Sequence, residues 1–172
     1  MKQIYFLLLA FVVFGPIPAA MAKTATASIQ GTAEGSPIAG QAILEETTAG
    51  LKITVTVSNV PPGKHGFHIH EVGSCEDQGN AAGSHFNPNH VAHGDLLKDG
   101  VAKAHAGDLG NIEIGPDGTG KLEVYALSLN LSEGPYNVTD KSMILHEKED
   151  DFGQPTGNAG GRIGCGIIKV SE

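Results

Sequence analysis

The sequence predicts an all-β domain, an eight-stranded antiparallel Greek-key barrel or sandwich with two long functional loops. Three observations lead to this fold class. Short segments alternate apolar and polar residues, glycines and prolines separate them, and glycine is abundant at 24 residues while Trp is absent. Period-two alternation is the pattern of a strand with one buried face, and many short strands with regular turns are typical of sandwiches and barrels.

The strands are assigned from this alternation and from the turns between them. The clearest is the run 51–57 (LKITVTV), which is followed by a Pro-Pro-Gly turn at 61–63. A Gly-Pro-Asp-Gly segment at 115–118 predicts a hairpin between the strands that flank it. The eight predicted strands are residues 24–32, 38–45, 51–57, 64–71, 112–114, 122–129, 142–146 and 162–170.

Two stretches, residues 73–108 and 147–161, do not fit strands. Long loops without secondary structure are uncommon in a compact domain unless they are functional or disordered. The first stretch contains four histidines and a cysteine, which is not the composition of a disordered segment. Both stretches are therefore predicted to be functional loops.

The N-terminal residues predict a secretory signal peptide over 1–22. Lys2 provides a positive charge, residues 4–14 are apolar, and Ala20-Met21-Ala22 fits a small-x-small cleavage site. The alternative is a membrane anchor, but eleven apolar residues are too few to span a bilayer as a helix. The mature domain is expected to cover residues 23–172, to be periplasmic or secreted, and to have no membrane association after cleavage.

The formal net charge of −8 bears on the partners of the protein. Nucleic-acid binding needs a basic face, and an anionic membrane surface would repel an acidic protein. We therefore expect neither partner.

The chain has two cysteines, Cys75 and Cys165. In an exported protein an even pair predicts a disulfide, which would close a loop of roughly 90 residues and contribute about 4 kcal/mol in the chain-entropy model. Two free, buried cysteines are the alternative.

Seven of the eight histidines lie between residues 65 and 105, and such clustering favours a metal site. His68 and His70 are two apart on a predicted strand, so both side chains point to one face and can reach one ion, while Ile69 points into the core. His85, His93 and His105 with Asp108 form a second group of three imidazoles and one carboxylate, a set suited to zinc. The alternative for this second group is a solvated, histidine-rich loop.

His146 lies on a predicted strand far along the chain and is followed by an acidic run, 147–151. An acidic run is usually a solvated surface. A carboxylate in it could instead orient a ligand histidine through the second ring nitrogen.

Five blocks of the sequence together resemble the copper/zinc superoxide dismutase family, in an exported, bacterial periplasmic form. The blocks occur in the family's order and at near-family spacing, and they cover almost all of the mature chain. Each block alone is a weak to moderate signal of the family, but five blocks in the same order are a specific one. They are residues 66–71 (GFHIHE), 83–88 (GSHFNP), 105–111 (HAGDLGN), 146–148 (HEK) and 157–162 (GNAGGR) with Cys165-Gly166.

This resemblance implies copper and zinc as cofactors and superoxide as the small-molecule substrate. It implies copper redox cycling, a zinc ion that holds the loop, and a shared His85 that bridges both metals and exchanges a proton. Arg162 is implied to bind and guide the anion, Asp150 to link a copper ligand with a zinc ligand, and the Cys75–Cys165 disulfide to anchor the first loop. The implied copper ligands are His68, His70, His85 and His146, and the implied zinc ligands are His85, His93, His105 and Asp108.

The remaining features depart from the family pattern or leave a choice open. The resemblance implies a structural role for His65. His90 lies three residues before His93 and could replace it as a zinc ligand, although the spacing from His85 favours His93.

The segment 151–161 is short and contains no lysine, so electrostatic steering of the substrate would depend on Arg162 and on Lys148 or Lys64. The longer disulfide loop of many periplasmic members is absent, and a homodimer is expected without a defined dimer mode.

Three other interpretations of the sequence are alternatives to a copper/zinc dismutase. An exported metal buffer would share the fold but would not need an arginine beside an open copper position. A copper-only dismutase would lack the zinc set, which is complete here. An adhesive β-sandwich leaves the histidine and aspartate blocks unexplained.

Overall fold

The alternating segments of the sequence form strands in the computed structural model, which describes residues 22–171. The strands are β1 (Thr24–Gly31), β2 (Ala39–Thr47), β3 (Gly50–Ser58), β4 (Gly63–His70), β5 (Asp108–Ile114), β6 (Gly120–Ala126), β7 (Ser142–His146), β8 (Arg162–Ile167) and β9 (Lys169–Val170). The predicted signal peptide lies, except for its last residue, outside the described residues and stays a prediction. Within residues 22–171 no helix is long and apolar enough to cross a membrane.

Eight strands close into an antiparallel barrel, as predicted. The order of hydrogen-bonded neighbours is β2-β3-β6-β5-β4-β7-β8-β1, and β1 pairs again with β2 to complete the ring. β3 and β4 are consecutive in the chain but not neighbours in the sheet, and the same is true of β6 and β7, which is Greek-key connectivity. The short β9 pairs with β1 and continues the line of β8.

The barrel is filled by the apolar residues that the alternation predicted to face inward. Leu51, Ile53, Val55 and Val57 of β3 are buried while the residues between them are more accessible. β4 and β7 differ from β3. Residues 65–70 of β4 and all of β7 are buried on both faces of the sheet. This means that a second layer of protein covers the outer face of β4 and β7, and that layer is the two long loops.

The strand boundaries differ most from the prediction in three places, and most of the others differ by one or two residues. β5 begins at Asp108 rather than at residue 112, because residues 108–111 pair with β4 although they do not alternate. β6 ends at Ala126, where the chain turns and the N–H of Leu129 donates to the carbonyl of Ala126. The last predicted strand is interrupted at Ile168, which separates β8 from β9.

The first long loop is irregular but firmly attached. It contains one 3₁₀ helix, Asp77–Ala82, and one short helix, α1 (Leu96–Asp99), whose first turn is capped by the Asp95 carboxylate. A disulfide joins Cys75 in this loop to Cys165 in β8, which confirms the predicted pairing. The two cysteines are 90 residues apart in the chain, so the bond removes a large loop entropy from the unfolded state.

We expect the disulfide to stabilise the metal-free protein by about 4 kcal/mol. Replacing both residues, Cys75→Ala with Cys165→Ala, should lower the free energy of unfolding in urea by that order. Reductant should lower the wild-type midpoint and leave the double variant unchanged, which makes the variant its own control. A loss below about 1 kcal/mol would contradict the loop-entropy account.

Candidate metal centre

A first group of four imidazoles lies at the outer face of β4 and β7. β4 provides His68 and His70, β7 provides His146, and the first loop provides His85. One nitrogen from each ring lies within 4.8 Å of one nitrogen of each of the others, and all four residues are buried. The i, i+2 spacing on β4 therefore brings His68 and His70 together as the sequence predicted, with Ile69 fully buried in the barrel between them.

Backbone pairing extends the sheet into the loop and thereby places His85. The N–H of Phe86 donates to the carbonyl of Ile69 at 2.8 Å, and the N–H of Ile69 donates to the carbonyl of Gly107 at 2.9 Å. His70 and His85 form an isolated antiparallel bridge next to these bonds. A Cβ on Gly107 would lie 2.1 Å from the carbonyl oxygen of Ile69, so this close approach requires glycine.

Carbonyl groups orient two of the four rings. Nδ1 of His70 lies 2.9 Å from the carbonyl oxygen of Gly83, and Nδ1 of His146 lies 3.3 Å from that of Gly160. An imidazole that donates from Nδ1 presents an unprotonated Nε2, and the two Nε2 atoms face each other at 3.4 Å. Two lone pairs that converge in this way suit a shared cation.

His68 is oriented by a carboxylate. Its Nε2 lies 2.7 Å from Oδ2 of Asp150, and its Nδ1 is buried with no hydrogen-bond partner. A buried nitrogen without a partner is costly unless it has a ligand. The donor set therefore fits a metal ion at Nδ1 of His68.

The second group surrounds Asp108, the fully buried first residue of β5. Oδ1 of Asp108 lies 2.8 Å from Nδ1 of His85 and 3.1 Å from Nδ1 of His105. Nδ1 of His93 lies 2.9 Å from Oδ2, but the two atoms lack hydrogen-bond geometry and Nδ1 has no other partner. Three imidazole nitrogens and a carboxylate thus converge, and all four residues offer atoms within 4.8 Å of one another.

His85 belongs to both groups. Because its Nδ1 faces Asp108 in the second group, its Nε2 is the nitrogen that can act as a donor in the first group. Its ring centroid lies 4.2 Å from that of His68 and 5.5 Å from that of His105.

Asp150 connects the two groups by a second route. Oδ2 bonds to His68 of the first group, and Oδ1 lies 3.0 Å from Nε2 of His93 in the second. Asn111 holds this carboxylate in place, because its amide exchanges two hydrogen bonds with the main chain of Asp150, at 2.8 and 2.9 Å. At Gly157 a Cβ would lie 1.9 Å from Oδ1 of Asp150, so only glycine lets the loop pass over this contact.

Burial keeps three rings of the first group neutral. It lowers the pKa of His70 to about 2, that of His146 to about 3 and that of His85 to about 4. These imidazoles are uncharged at pH 7, and the neutral ring is the form that binds metals.

Two buried carboxylates, Asp108 within the second group and Asp150 beside it, set the pKa of His93. Burial alone would lower the pKa of His93, but the adjacent carboxylates of Asp108 and Asp150 outweigh burial and raise it to about 9. Burial alone would raise the pKa of both carboxyl groups, but hydrogen bonds from the surrounding histidines hold both pKa values well below their usual range. Two buried carboxylates that stabilise an imidazolium would also stabilise a bound cation.

Arg162, the first residue of β8, lies beside the first group. Its guanidinium donates to the carbonyls of Gly79 at 2.6 Å, Asn80 at 3.3 Å and Gly83 at 2.7 Å. Gly83 therefore accepts from both Arg162 and His70, which ties the arginine to a ring of the first group. A cleft of about 230 Å³ opens here, lined by His70, Ser84, His85, His146, Thr156, Asn158, Ala159, Gly160 and Arg162.

The two histidines left over by the sequence analysis lie outside both groups. His65 bridges two carbonyls, with Nδ1 2.8 Å from that of His146 and Nε2 2.9 Å from that of Pro61. His90 is exposed, whereas His93 is buried in the second group. Sequence reasoning missed two amide residues, Asn111 and Gln154, which contact the site through its backbone and follow no spacing rule.

The fold and the two converging donor groups define a β-barrel metalloprotein with a buried, histidine-rich centre. The sequence model for Copper/zinc superoxide dismutase (SODC) matches residues 38–168. The chain is 37% identical over 148 residues to a Superoxide dismutase [Cu-Zn] of Onchocerca volvulus, covering 79% of this chain and 91% of that protein. It is 35% identical over 159 residues to an Extracellular superoxide dismutase [Cu-Zn] of Brugia pahangi, covering 87% and 78%.

A comparison with solved structures finds the same fold. The crystal structure of the clock protein EA4 matches with a TM-score of 0.78 and 30% identity, covering 91% of this chain and 100% of that one. The chain belongs to the copper/zinc superoxide dismutase family. It is an oxidoreductase, a superoxide dismutase with copper and zinc as its cofactors.

The choice between His93 and His90 can be tested by metal analysis. We expect His93→Ala to lower bound zinc from about one ion per chain to well below half, because the second group loses one of its four donors. His90→Ala is the matched control and should retain wild-type zinc. Elemental analysis of both dialysed variants measures this, and zinc loss in His90→Ala with retention in His93→Ala would reverse the assignment.

Proposed function

We propose that the first group binds copper through His68, His70, His85 and His146, and that the second binds zinc through His85, His93, His105 and Asp108. The observation that carries this proposal is the sharing of His85 between two convergent donor groups. The buried, partnerless Nδ1 atoms of His68 and His93 support it, one in each group. Imidazoles suit both metals, and three imidazoles with one carboxylate suit a closed zinc site.

The reaction converts two superoxide anions and two protons into oxygen and hydrogen peroxide. Copper, when bound, supplies the one-electron exchange by cycling between two oxidation states, and zinc, which is redox-inactive, supplies a fixed positive charge. The residues of the chain contribute binding, orientation and a proton. The rings of His70 and His146 remain neutral because they are buried, and carbonyl groups orient their Nδ1 atoms. The Asp150 carboxylate orients the ring of His68.

His85 is proposed to move a proton at Nε2. Its Nδ1 is held in the zinc group, so Nε2 is the nitrogen free to accept a proton in one half of the cycle and to return it in the other. His85 lines the cleft, where a small anion can reach it. Asp108 fixes the ring from the opposite side, which keeps Nε2 aimed toward the first group.

Arg162 is proposed to bind the anion. Three of its five N–H donors are used by the loop carbonyls, which leaves two in the guanidinium plane for a ligand. It would attract superoxide to a protein of net charge −8 because the local field in a cleft matters more than net charge. Of the two lysines that could help to attract the anion, Lys64 is the weaker candidate, because its Nζ lies 3.1 Å from Glu149 and its charge is partly neutralised. Lys148 has no ion pair within residues 22–171.

Export is proposed for this chain. The disulfide supports it, because such bonds persist in oxidising compartments, and the relative from Brugia pahangi is named as extracellular. Cleavage after residue 22, the choice between periplasm and medium, and a homodimer stay predictions. Mass measurement of the secreted chain would test the cleavage site.

Metal reconstitution tests the proposed centre. We expect the metal-free protein to saturate at one copper and one zinc per chain and to gain cyanide-sensitive superoxide removal with the copper. Removing copper alone should abolish the activity, whereas removing zinc should leave a part of it. Saturation at one ion per chain under fully loading conditions would contradict the two-site arrangement.

Charge reversal tests Arg162. Arg162→Glu should lower kcat/KM at low salt by about tenfold or more, because it replaces attraction of the anion by repulsion. Salt should slow the wild type and speed the variant, because screening weakens both interactions. Arg162→Lys controls for loss of positive charge, and Lys64→Glu should change the rate little. If the rate of Arg162→Glu and its salt dependence equal those of the wild type, Arg162 does not guide substrate.

A further inference from the structure

One side chain in the second loop contacts the zinc group without belonging to it. The amide of Gln154 accepts a hydrogen bond from the backbone N–H of His93 at 3.2 Å and donates one to the carbonyl of the same residue at 2.8 Å. Both main-chain polar groups of His93 are thus held by one side chain. The backbone hydrogen bonds outside helices and strands within residues 22–171 include no other partner for either group.

The segment that carries Gln154 contacts His93 from three directions. Asp150 bonds to its Nε2 at 3.0 Å, and the ring of Phe152 stacks on its ring with 18° between the planes and 6.4 Å between centroids. Gln154 holds its backbone. Alternate residues of one short segment therefore fix the ring edge, the ring face and the main chain of the same histidine.

His93 needs this support more than the other donors do. His105 lies three residues before Asp108 and its N–H donates to the Asp108 carboxylate, while His85 is held by the bridge to β4. His93 lies in an irregular stretch between residue 87 and α1, with no strand or helix to place it. A loop that carries a ligand gains precision only from contacts such as these.

We propose that Gln154 is a positioning residue for the zinc site, and that its amide holds the backbone of His93 so that this ligand stays in binding geometry. The inference rests on the proposed zinc site and adds a residue that does not touch the metal. Residues that orient ligands typically change metal affinity by about 10- to 100-fold, and a clamp on the exposed side of a loop belongs at the lower end.

The test uses Gln154→Met, which keeps the length of the side chain and removes both hydrogen bonds. Zinc affinity is measured by chelator competition, and Co²⁺ placed in the same site reports ligand geometry through its visible absorption. We expect zinc affinity to fall about tenfold and the cobalt spectrum to shift, with copper content unchanged. Gln41→Ala, an exposed glutamine on β2, is the matched control and should leave every measurement unchanged.

The outcomes separate the two proposals. If wild type binds zinc and cobalt normally and Gln154→Met does the same, the positioning role is wrong and the zinc site stands. If Gln154→Met loses copper and zinc equally, the side chain supports the fold in general and the proposal also falls. If wild type binds no zinc, or His93→Ala leaves the cobalt spectrum unaltered, the proposed zinc site itself is wrong.

Discussion

The buried carboxylate of Asp150 is the contact on which the arrangement of the centre depends. Its two oxygens bond to His68 on the barrel and to His93 on the first loop, so one residue of the second loop joins three separate parts of the chain. The loop geometry that permits this has two supports, the Asn111 amide on the main chain of Asp150 and the absence of a side chain at Gly157. In a buried setting such charge-assisted bonds are strong, and leaving either partner unpaired would be costly.

The opposite end of the first loop is held by a different chemistry. The Cys75–Cys165 bond attaches the loop covalently to β8, and Arg162 of the same strand donates to carbonyls from Gly79 to Gly83. The carbonyl of Gly83 also orients His70. The disulfide, Arg162 and a ring of the first group therefore share one frame, which explains how irregular backbone can place functional groups precisely.

The charges are divided between the two groups in a way that suits their tasks. Three of the four rings of the first group are kept neutral by burial, and the group opens to a cleft with one cationic side chain, which suits exchange with a small anion. The second group contains a buried carboxylate and all four of its members are buried, which suits a metal that stays in place. His85 is the only residue that offers an atom to both groups within residues 22–171, so any change in its protonation is felt by both.

The sequence by itself determined the strands, the residue types at the centre and the disulfide partners. β3 was predicted within one residue at each end, because period-two alternation directly reflects burial of one face. β7 was predicted with its observed bounds although it is buried on both faces. The start of β5 was missed because residues 108–110 are buried on both faces and so show no alternation. The i, i+2 pair on β4 was predictable because strand geometry is local.

Only the tertiary structure decided what depends on distance across irregular backbone. Spacing from His85 favoured His93 over His90, but spacing along a loop does not encode that Gln154 would reach the backbone of His93. The partners of Asp150, 82 and 57 residues away in the chain, come together only when the closed barrel positions both loops on the same face. Local periodicity is a property of a few residues, whereas these contacts are a property of barrel closure, and that is why the first was predictable and the second was not.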